Sequence, residues 1–426
     1  MLVVQKYGGT SVADLTRIRA CAERTLGLVR EGHRVVVVVS AMAGETNRLI
    51  AMANEIVGFD GAGRGPYVAH AKAGDPAHER ELDQLQATGE QVSAALFAMA
   101  VQSLGGDAVS LVGPQIGMVT DGAYTRARIR GIRRDRIERE LAEGRVVVAA
   151  GFQGADERGD ITTLGRGGSD TSAVALAAAL GADVCEILTD VDGVYTTDPR
   201  IVPTARKVDR ITHEEMIELA SLGAKVLQIR SVAFARRFGV PVHVRSSLHQ
   251  GKGTWIVPES PDMEAPVVSG LALDRNEAKV TVEGVPDVPG TVAAIFGALG
   301  DAGIVVDMII QNASRAGVTD VTFTVPEQDL PRAASILENV RIDGQPLAVA
   351  TDPRICKISI VGLGMRTHAG VAAHAFRALA AEKINVEMVS TSEIKVSVVV
   401  HERYGELALR TLHDAFGLGD GDEGVG

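Results

Sequence analysis

The first residues that could carry chemistry lie at the end of the apolar run that opens the chain. The stretch "VVQKYGGTS", residues 3–11, places Lys6 beside the adjacent glycines Gly8 and Gly9. Backbone N–H groups of glycines can approach a phosphate closely, and the lysine ammonium would offset its negative charge. A turn that carries a surface lysine explains so short a motif about equally well. The sequence contains no GxxxxGK[ST] motif, so another scaffold would have to hold the phosphates.

A second pattern is the glycine-rich segment "TTLGRGGSDTSA", residues 162–173, which leads into an alanine-rich helical stretch. A helix N-terminus offers free N–H groups and the positive end of a dipole to an anion, and the guanidinium of Arg166 can bind a carboxylate through paired hydrogen bonds. Helix capping would account for Ser169 or Asp170, but it does not explain Arg166 among three glycines. The segment therefore predicts an anion site.

Three further segments contain charged residues whose roles the local pattern leaves open. The segment "LTDVDGVYTTDPR" is a strand followed by a turn, and it lacks the later glutamate of a calcium loop, so we exclude an EF-hand. Lys225, in "ELASLGAKVLQIRS", follows a glycine and would by itself be interpreted as a solvated lysine. Glu90, in "ATGEQVSAAL", either caps a helix or binds an ammonium group.

The elements that would position these residues alternate between short β-branched runs and helix-periodic segments. Valine runs such as "RVVVVV" suit strands buried on both faces, and the alternation predicts an α/β domain with a mainly parallel sheet covered by helices. Asp14 is expected to cap a helix that ends near Gly32, and another helix is expected to end at Gly181. Residues 58–75, rich in glycine, are predicted to form a mobile surface loop or flap.

A domain boundary is predicted in residues 249–266, where glycine and proline cluster. Beyond it the chain contains an internal repeat, because the segment from Lys279 matches the segment from Lys357. Each copy is predicted to be a compact βαββαβ module, and the acidic, glycine-rich C-terminus is expected to fray. The matching pairs are Phe296 with Phe376, Ile304 with Ile384, and Met308 with Met388.

The composition excludes several classes of function. The chain has 426 residues and a net charge of -11, which predicts two or three domains and argues against a nucleic-acid partner. Its longest apolar run is far below the ~20 residues that a membrane-spanning helix needs, and the start lacks the apolar core of a signal peptide. The 3 cysteines form no CxxC pair and fit reduced, buried thiols. We therefore predict a cytoplasmic protein with no membrane or nucleic-acid partner.

Taken together, these segments resemble the aspartate kinases of the amino-acid kinase family over nearly the whole chain. The internal repeat looks like the pair of ACT domains that follows the kinase domain in these enzymes. One departure is Ile229, where the family more often has Thr or Pro, close to Lys225. The matching segments, in the family's order, are "KYGGTSV", "SAMAGETN", "GEQ", "TTLGRGGSDTSA", "TDVDGVYTTDPR" and "GAKVL".

The resemblance implies an amino-acid kinase fold in residues 1–250, followed by two ferredoxin-like ACT domains in residues 265–345 and 350–420. It implies transfer of the ATP γ-phosphoryl group, with Mg²⁺, to the side-chain carboxylate of L-aspartate, giving 4-phospho-L-aspartate for lysine, threonine and methionine synthesis. That carboxylate, with a pKa of ~3.9, is already ionised at neutral pH and needs no general base. The lysines Lys6 and Lys225 and the metal ion would instead offset the repulsion between anions.

The same resemblance implies a role for each matching residue. Asp170 is expected to orient the lysine and the metal environment, Arg166 to bind the α-carboxylate of aspartate, and Glu90 to bind its ammonium group. No side chain is assigned as a dedicated metal ligand. The expected catalytic residues are Lys6, Asp170 and Lys225. The expected aspartate-binding residues are Ser40, Thr46, Glu90, Phe152, Arg166 and Ser169. The expected ATP-binding residues are Lys6, Tyr7, Gly8, Gly9, Gly167, Gly168, Thr189, Asp190, Tyr195, Thr196, Thr197, Asp198, Pro199, Arg200 and Lys225.

The pair of ACT domains implies regulation by amino acids. Such modules pair within or between chains and bind amino acids at their interfaces, which implies a homodimer or larger assembly and inhibition by lysine, threonine or both. Asp287 could pair with an effector ammonium, whereas Asn385 and Ser390 could equally well end turns or cap helices. The expected effector-binding residues are Asp287, Asp307, Gln311, Asn312, Asn385 and Ser390.

Two other functions would fit parts of this pattern. A kinase of the same fold acting on glutamate, acetylglutamate or a nucleotide is disfavoured by the ACT pair and by the complete "KYGGTSV" segment. An amino-acid-sensing subunit with an inactive kinase domain would be expected to lose its charged site residues. Those residues are all present, namely Lys6, Glu90, Arg166, Asp170 and Lys225.

Overall fold

The computed structural model describes residues 1–57, 76–222, 226–259, 266–312 and 317–419. The described residues form two compact units. The loop predicted for residues 58–75 and the predicted catalytic Lys225 lie outside the described residues. The first unit is drawn from Met1–Val194, Lys207–Ala220 and Lys225–Met263, and the second from Tyr195–Arg206, Ser221–Ala224 and Glu264–Gly426.

Up to residue 259 the chain alternates strands with helices, as the sequence predicts. The strands are β1 (Leu2–Tyr7), β2 (Arg34–Val39), β3 (Ala108–Leu111), β4 (Met118–Thr120), β5 (Ile129–Ile132), β6 (Val146–Ala150), β7 (Gln153–Ala155), β8 (Ile161–Thr163), β9 (Val184–Thr189), β10 (Val194–Tyr195), β11 (Lys207–Val208), β12 (Arg210–Thr212), β13 (Val242–Ser246) and β14 (Thr254–Val257). The helices are α1 (Leu15–Arg30), α2 (Glu45–Val57), α3 (Pro76–Ser103), α4 (Gly113–Ile116), α5 (Asp135–Ala142), α6 (Gly168–Leu180), α7 (His213–Ser221) and α8 (Ile229–Phe238).

An eight-stranded sheet forms the centre of the first unit, in the order β12-β14-β13-β9-β1-β2-β6-β3. Its neighbouring strands are parallel except for β13 and β14. The valine run of β2 is buried throughout, because helices cover the sheet and leave no face for polar residues. A second sheet in the same unit has four strands, in the order β5-β4-β7-β8. The predicted α/β architecture is confirmed.

Strand β1 separates two different environments, because adjacent residues of a strand point to opposite faces of the sheet. On one face the Tyr7 ring packs against Phe97 of α3, with 5.4 Å between ring centroids, and its hydroxyl lies 3.2 Å from Thr25 of α1. On the other face Lys6 reaches Asp170 of α6. Near the carboxyl end of β1, the first face therefore carries an aromatic contact and the second an ion pair.

Helix ends follow the capping residues that the sequence indicates. The Asp14 side chain accepts a hydrogen bond from the Arg17 amide at 2.8 Å at the start of α1. Gly32 follows the end of α1 with φ of 85°, and Gly181 ends α6 with φ of 61°. Glycine adopts these left-handed conformations without strain, so both helix ends fall where they were predicted.

The second unit contains the two repeats. Its strands after residue 265 are β15 (Gly270–Asp274), β16 (Glu277–Pro286), β17 (Ile309–Gln311), β18 (Val318–Pro326), β19 (Arg341–Ile342), β20 (Gln345–Pro346), β21 (Ala348–Asp352), β22 (Ile355–Val361), β23 (Met388–Thr391) and β24 (Lys395–His401). Its helices there are α9 (Thr291–Asp301), α10 (Leu330–Asn339), α11 (Val371–Ala381) and α12 (Gly405–Ala415).

Each repeat builds a four-stranded antiparallel sheet, but the two sheets obtain their strands differently. The first sheet has the order β17-β18-β16-β21 and uses strands of its own repeat only. The second has the order β15-β22-β24-β23, so its outer strand β15 comes from the chain before the first repeat. The ferredoxin-like fold is confirmed, and the second copy completes it with a strand from outside its own repeat.

Reciprocal ion pairs join the two repeats. Lys279 of β16 pairs with Glu387, which precedes β23, and Lys357 of β22 pairs with Asp307, which precedes β17. Lys357 Nζ also lies 2.6 Å from Glu277 Oε1. The lysine of each copy therefore pairs with the acidic residue of the other copy, which the sequence repeat alone did not reveal.

Two expectations about the whole chain can be compared with the structure. Cys21, Cys185 and Cys356 are free and buried, as their spacing indicated. Across the described ranges, no helix combines the length and the apolar character needed to pass through a membrane.

Candidate active site

Lys6 and Asp170 form a nearly buried ion pair at the carboxyl end of β1. Lys6 Nζ lies 2.6 Å from Asp170 Oδ1, and each residue is only 8% exposed. Asp170 lies in the first turn of α6, where the helix dipole favours a negative charge. Removing either partner would leave an uncompensated buried charge, so each holds the other in place. Two motifs that are far apart in the sequence therefore meet at one point.

The glycines after β1 let the backbone pass close to its neighbours. A Cβ atom on Gly8 would lie 3.3 Å from Lys6 Nζ, and one on Gly9 would lie 2.8 Å from the Ala41 carbonyl oxygen. The Gly8 amide donates to the Leu188 carbonyl at 3.2 Å, so it is not free to bind a phosphate. The Gly9 amide has no hydrogen-bond partner among the described residues, and it remains the candidate donor of this turn.

Glu90 of α3 carries a buried oxygen without a partner. Its Oε1 accepts a hydrogen bond from the Ala41 amide at 3.0 Å, whereas its Oε2 is buried and has no hydrogen-bond partner in the described part of the chain. A Cβ on Gly89 would lie 2.8 Å from Ala41 Cβ, so only glycine lets α3 approach this closely. Burial raises the Glu90 pKa to about 7, although the Ala41 amide opposes the shift. A bound cation would satisfy the free oxygen.

Residues predicted to bind aspartate meet at the start of α6. Phe152 has φ of 68°, a strained value for a bulky residue, and its amide donates to Ser172 Oγ at 3.1 Å. A Cβ on Gly168 would lie 2.7 Å from the Phe152 ring. Ser169 is buried in the same turn. Arg166 is exposed, and within the described ranges its guanidinium has no ion pair or hydrogen bond, so it is free to bind a carboxylate.

Gly167 brings this turn against the segment that follows Lys225. It has φ of 72°, and a Cβ there would lie 1.9 Å from Cγ of Gln228, the residue before α8. The Gly168 amide donates to the Gly165 carbonyl at 2.9 Å, which removes it as a free phosphate donor. Because Lys225 itself is not described, its catalytic role stays a prediction.

Other predicted site residues surround the ends of β1, β2 and β9. The Ser40 amide donates to the Tyr7 carbonyl at 3.1 Å. The Tyr7 ring is fully buried in the core, so only its backbone could contact ATP. Thr46 is half-buried in α2. Thr189 Oγ1 donates to Oδ1 of the exposed Asp190 at 3.1 Å, at the end of β9. The roles of these residues stay predictions.

The remaining residues predicted to bind ATP belong to the second unit. There the Thr196 hydroxyl donates to the Leu418 carbonyl at 3.1 Å and lies 3.0 Å from His413 Nε2. This hydroxyl is engaged, so a contact between it and ATP stays a prediction that the structure does not favour. Arg200 Nη2 lies 2.7 Å from Asp198 Oδ2. Tyr195 and Asp198 are half-buried, Thr196 and Thr197 are buried, and Pro199 and Arg200 are exposed.

Sequence reasoning missed two serines beside this site. Ser11 Oγ donates to Ser247 Oγ at 2.7 Å, and the Ser247 amide donates to the Thr189 carbonyl at 2.7 Å. The signal was available, because Ser247 follows β13 and the carboxyl ends of parallel strands meet at one edge of a sheet. These bonds fix the loop after β1 to the ends of β9 and β13.

The predicted effector residues lie in the second unit, and one of them already has a partner. Asp307 pairs with the buried Lys357, so its carboxylate is not free in this structure. The Asp287 amide donates to the Gly317 carbonyl at 3.0 Å, and its exposed side chain remains accessible. Gln311, Asn312 and Asn385 are exposed, and Ser390 is half-buried.

Protein family models match three segments of the chain. Residues 1–246 match the amino acid kinase family. Residues 280–341 and 358–416 each match an ACT domain family.

Relatives with known names match nearly the full length of the chain. An aspartate kinase of Pseudomonas putida is 53% identical over 98% of this chain and 98% of its own. An aspartokinase of Mycobacterium tuberculosis is 49% identical over 99% of this chain and 97% of its own. A crystal structure of E. coli aspartokinase III in complex with aspartate and ADP (R-state) has a TM-score of 0.79 at 28% identity, covering 97% of this chain and 99% of that one.

Proposed function

This chain belongs to the aspartate kinases of the amino acid kinase family and transfers the ATP γ-phosphoryl group to the side-chain carboxylate of L-aspartate, and we propose that the cluster around Lys6 and Asp170 carries this reaction. The observation that supports this location is the Lys6–Asp170 pair, with Asp170 in the first turn of α6, the helix that follows the glycine-rich turn of the exposed Arg166. The product is 4-phospho-L-aspartate.

The reaction requires two anions to approach each other. A side-chain carboxylate oxygen of aspartate forms a bond to the γ-phosphorus, and the bond from that phosphorus to the β-γ bridging oxygen breaks as ADP leaves. Among the described residues Lys6 has a single carboxylate partner, so its ammonium retains donors for the transferring oxygens. Arg166 binds the α-carboxylate and the free Oε2 of Glu90 binds the ammonium, which leaves the side-chain carboxylate to react.

We infer that Mg²⁺ accompanies the nucleotide. Within the described residues, no group of three or more histidine, cysteine, aspartate or glutamate side chains could hold a metal ion. Mg²⁺ commonly binds one or two protein carboxylates together with nucleotide phosphates and water, and Asp170 and the exposed Asp190 supply such hard oxygen donors. When bound, the ion would neutralise charge on the phosphates.

We also propose that the second unit regulates the enzyme by binding lysine, threonine or both. This proposal is supported by the two ACT repeats and by a crystal structure of E. coli aspartokinase III in complex with lysine and aspartate (T-state), which has a TM-score of 0.73 at 27% identity and covers 97% of this chain and 99% of that one. We propose the domain ranges 1–250, 265–345 and 350–420. We also propose that the ACT domains join chains into a homodimer or larger assembly, and that the enzyme is cytoplasmic. Equal activity with and without millimolar lysine and threonine would contradict the regulatory role, and sedimentation would test the assembly.

The direct test is ADP release from the full chain with Mg-ATP and L-aspartate, with hydroxylamine present to trap the acyl phosphate. Aspartate-dependent hydroxamate, with none from glutamate, is the expected result. No turnover with either acid, together with retained binding of lysine or threonine, would instead indicate an amino-acid sensor with an inactive kinase domain.

Arg166→Ala tests the site itself. Because Arg166 has no partner in the described part of the chain, its loss should leave the fold intact and remove only the contact with the substrate carboxylate. We expect the aspartate KM to rise roughly 10- to 100-fold and the ATP KM to change far less. Arg158→Ala, which removes another exposed arginine of the same unit, is the matched control. Comparable changes in both KM values would contradict this role.

A further inference from the structure

A recess of about 510 Å³ opens on the face of β1 opposite Lys6, in the first unit. None of the residues that line it belongs to the proposed catalytic cluster, so this inference goes beyond the proposed function. Its deeper wall is formed by strands β1, β9 and β13, and its outer wall is formed by α1. The lining residues are Gln5, Ala20, Glu23, Arg24, Gly27, Leu28, Glu31, Glu186, Arg245 and Gln250.

Two arginines in this recess have unsatisfied donors. Arg24 Nη1 donates to the Ser246 carbonyl at 2.6 Å, but its Nη2 is buried and has no hydrogen-bond partner in the parts of the chain that the structure describes. Arg245 Nη1 lies 2.9 Å from Glu186 Oε1, and its buried Nε likewise has none there. Buried polar groups in folded proteins are nearly always paired, so these donors indicate a missing acceptor.

Glu186 does not fill this place, because neither of the two unsatisfied donors bonds to it. Its Oε2 accepts from Gln5 Nε2 at 2.8 Å, and its Oε1 accepts from Arg245. Both Glu186 and Gln5 are buried, so this arrangement is held in place by packing. The guanidinium groups are therefore presented to the recess by a fixed polar network, and they have unused donors.

The lining also contains acidic residues. Glu23 of α1 and Glu31, the residue after α1, are exposed and place two carboxylates among the lining residues. Together the lining holds two arginines and three glutamates, so a polyanion would meet net negative charge. A ligand with one carboxylate and one ammonium group would match both kinds of charge in the lining.

Gly27 keeps the helical wall of the recess open. It lies inside α1, where alanine would stabilise the helix better than glycine does. A Cβ at this position would meet no heavy atom within 4 Å, so packing does not require the missing side chain. The glycine leaves room for a ligand between the helix and the sheet.

We propose that this recess binds a free α-amino acid, with its carboxylate on Arg24 and Arg245 and its ammonium group towards Glu23 and Glu31. The guanidinium groups supply the paired donors that a carboxylate accepts, and the carboxylates of Glu23 and Glu31 would bind the ammonium group. A second amino-acid site would thereby lie on the kinase unit itself, on the face of the sheet opposite the reacting groups.

The single tryptophan of the chain reports on this place. Trp255 stacks on His243 with 3.9 Å between ring centroids, and His243 Nδ1 lies 3.9 Å from Glu186 Oε1. Tryptophan fluorescence of the full chain is therefore titrated with each proteinogenic amino acid except tryptophan, and with orthophosphate. We expect a saturable change with at least one amino acid and none with orthophosphate.

Variants assign the change to the recess. Arg24→Gln should weaken the binding roughly tenfold or more, and Gly27→Leu, which fills the recess but keeps every charge, should abolish it. Arg19→Gln, on the exposed side of the same helix, and Arg166→Ala should both retain it. The hydroxamate assay on Arg24→Gln and Gly27→Leu shows whether each still folds into an active enzyme.

The outcomes that overturn the proposal are distinct from failure of the kinase assignment. A response to orthophosphate alone, no saturable response to any amino acid, or equal binding by wild type and Gly27→Leu would each refute it. So would a change in sedimentation of the recess variants without a change in binding, because the recess would then serve contact between chains. None of these results affects hydroxamate formation by the wild-type enzyme.

Discussion

Two buried lysines of this chain, Lys6 in the first unit and Lys357 in the second, have similar surroundings and different capacities. The Lys6 side chain is 11% exposed and the Lys357 side chain is 3% exposed. Each extends from a strand and pairs with carboxylates. In the part of the chain that the structure describes, Lys6 has one, on Asp170, whereas Lys357 has two, on Glu277 and Asp307.

The two ammonium groups differ in how much of their positive charge the neighbouring carboxylates neutralise. Lys357 is surrounded by more negative charge than it carries, so it can serve only to hold the repeats together. Lys6 balances a single carboxylate, and it lies beside Gly8, whose missing side chain leaves the ammonium approachable. Burial therefore does not distinguish a catalytic lysine from a structural one. The number of carboxylates that pair with the lysine does.

The variant Lys6→Met tests this comparison with the largest expected effect. We expect kcat to fall by about 10³-fold, because the ammonium that meets the transferring phosphoryl group is gone. The same variant leaves Asp170 buried without a partner, which costs about 3–5 kcal/mol of unfolding free energy. The double variant Lys6→Met/Asp170→Asn should recover most of that stability without activity. If it recovered activity as well, Lys6 would be only structural.

In the second unit, the variant Lys357→Met should lower stability but leave turnover unchanged. It leaves Glu277 and Asp307 without their cation, and we expect this unit to lose about 3–5 kcal/mol of stability. Turnover without effector amino acids should stay near that of the wild type in the folded protein. Urea unfolding followed by hydrogen exchange in each unit separates the two effects. A lysine variant that lost kcat but kept its stability would contradict the structural role.

Glu90→Gln tests a third buried charge, one that lacks a cation in the structure. Burial raises the Glu90 pKa from 4.5 to about 7, so Glu90 binds its proton more tightly in the folded protein than in the unfolded chain. The stability contributed by this group is fully present below pH ~4.5 and is lost as the pH rises to about 7, a change of about 3 kcal/mol. Relative to wild type, the variant should therefore gain stability between pH 5 and 8. Aspartate should bind the wild type less well below pH 7, and a pH-independent difference in stability would contradict this assignment.

Lys279→Met gives the smallest expected effect and compares the two repeats directly. Lys279 pairs with Glu387 as Lys357 pairs with Asp307, but its side chain is 24% exposed and has one carboxylate. Water screens the pair and solvates the carboxylate that the variant leaves behind, so we expect a loss of about 1 kcal/mol. The same hydrogen-exchange measurement checks it. Equal losses at Lys279 and Lys357 would show that burial and partner number do not set the cost.

Much of the fold was predictable because local patterns carry it. The valine run of β2, the capping residue Asp14 and the terminal glycine of α6 act within a few residues of themselves. The internal repeat likewise predicted two similar modules, because its two segments match in sequence. The residue types also predicted an anion site in the glycine-rich segment before α6, whereas the catalytic roles came from the family resemblance and stay predictions.

Contacts between distant segments could not be predicted, because no local pattern encodes them. The resemblance implied that Asp170 orients a lysine, but the glycine-rich turn by itself did not show that this lysine is Lys6, and the repeat did not reveal that β15 completes the second ACT sheet. The segment after β10 was predicted to bind ATP, yet its Thr196 hydroxyl is bonded within the second unit. The alternation of β1 likewise did not show that Gln5 borders a recess.

The sequence by itself indicated which residues could bind charged groups, where α1 begins and where α1 and α6 end, and which family of enzymes this chain belongs to. The tertiary structure alone decided which of those charges are neutralised and which stay available. The physical reason is that local conformation depends on neighbours in the chain, whereas the capacity of a buried ammonium, carboxylate or guanidinium depends on every group that packing brings within hydrogen-bonding distance.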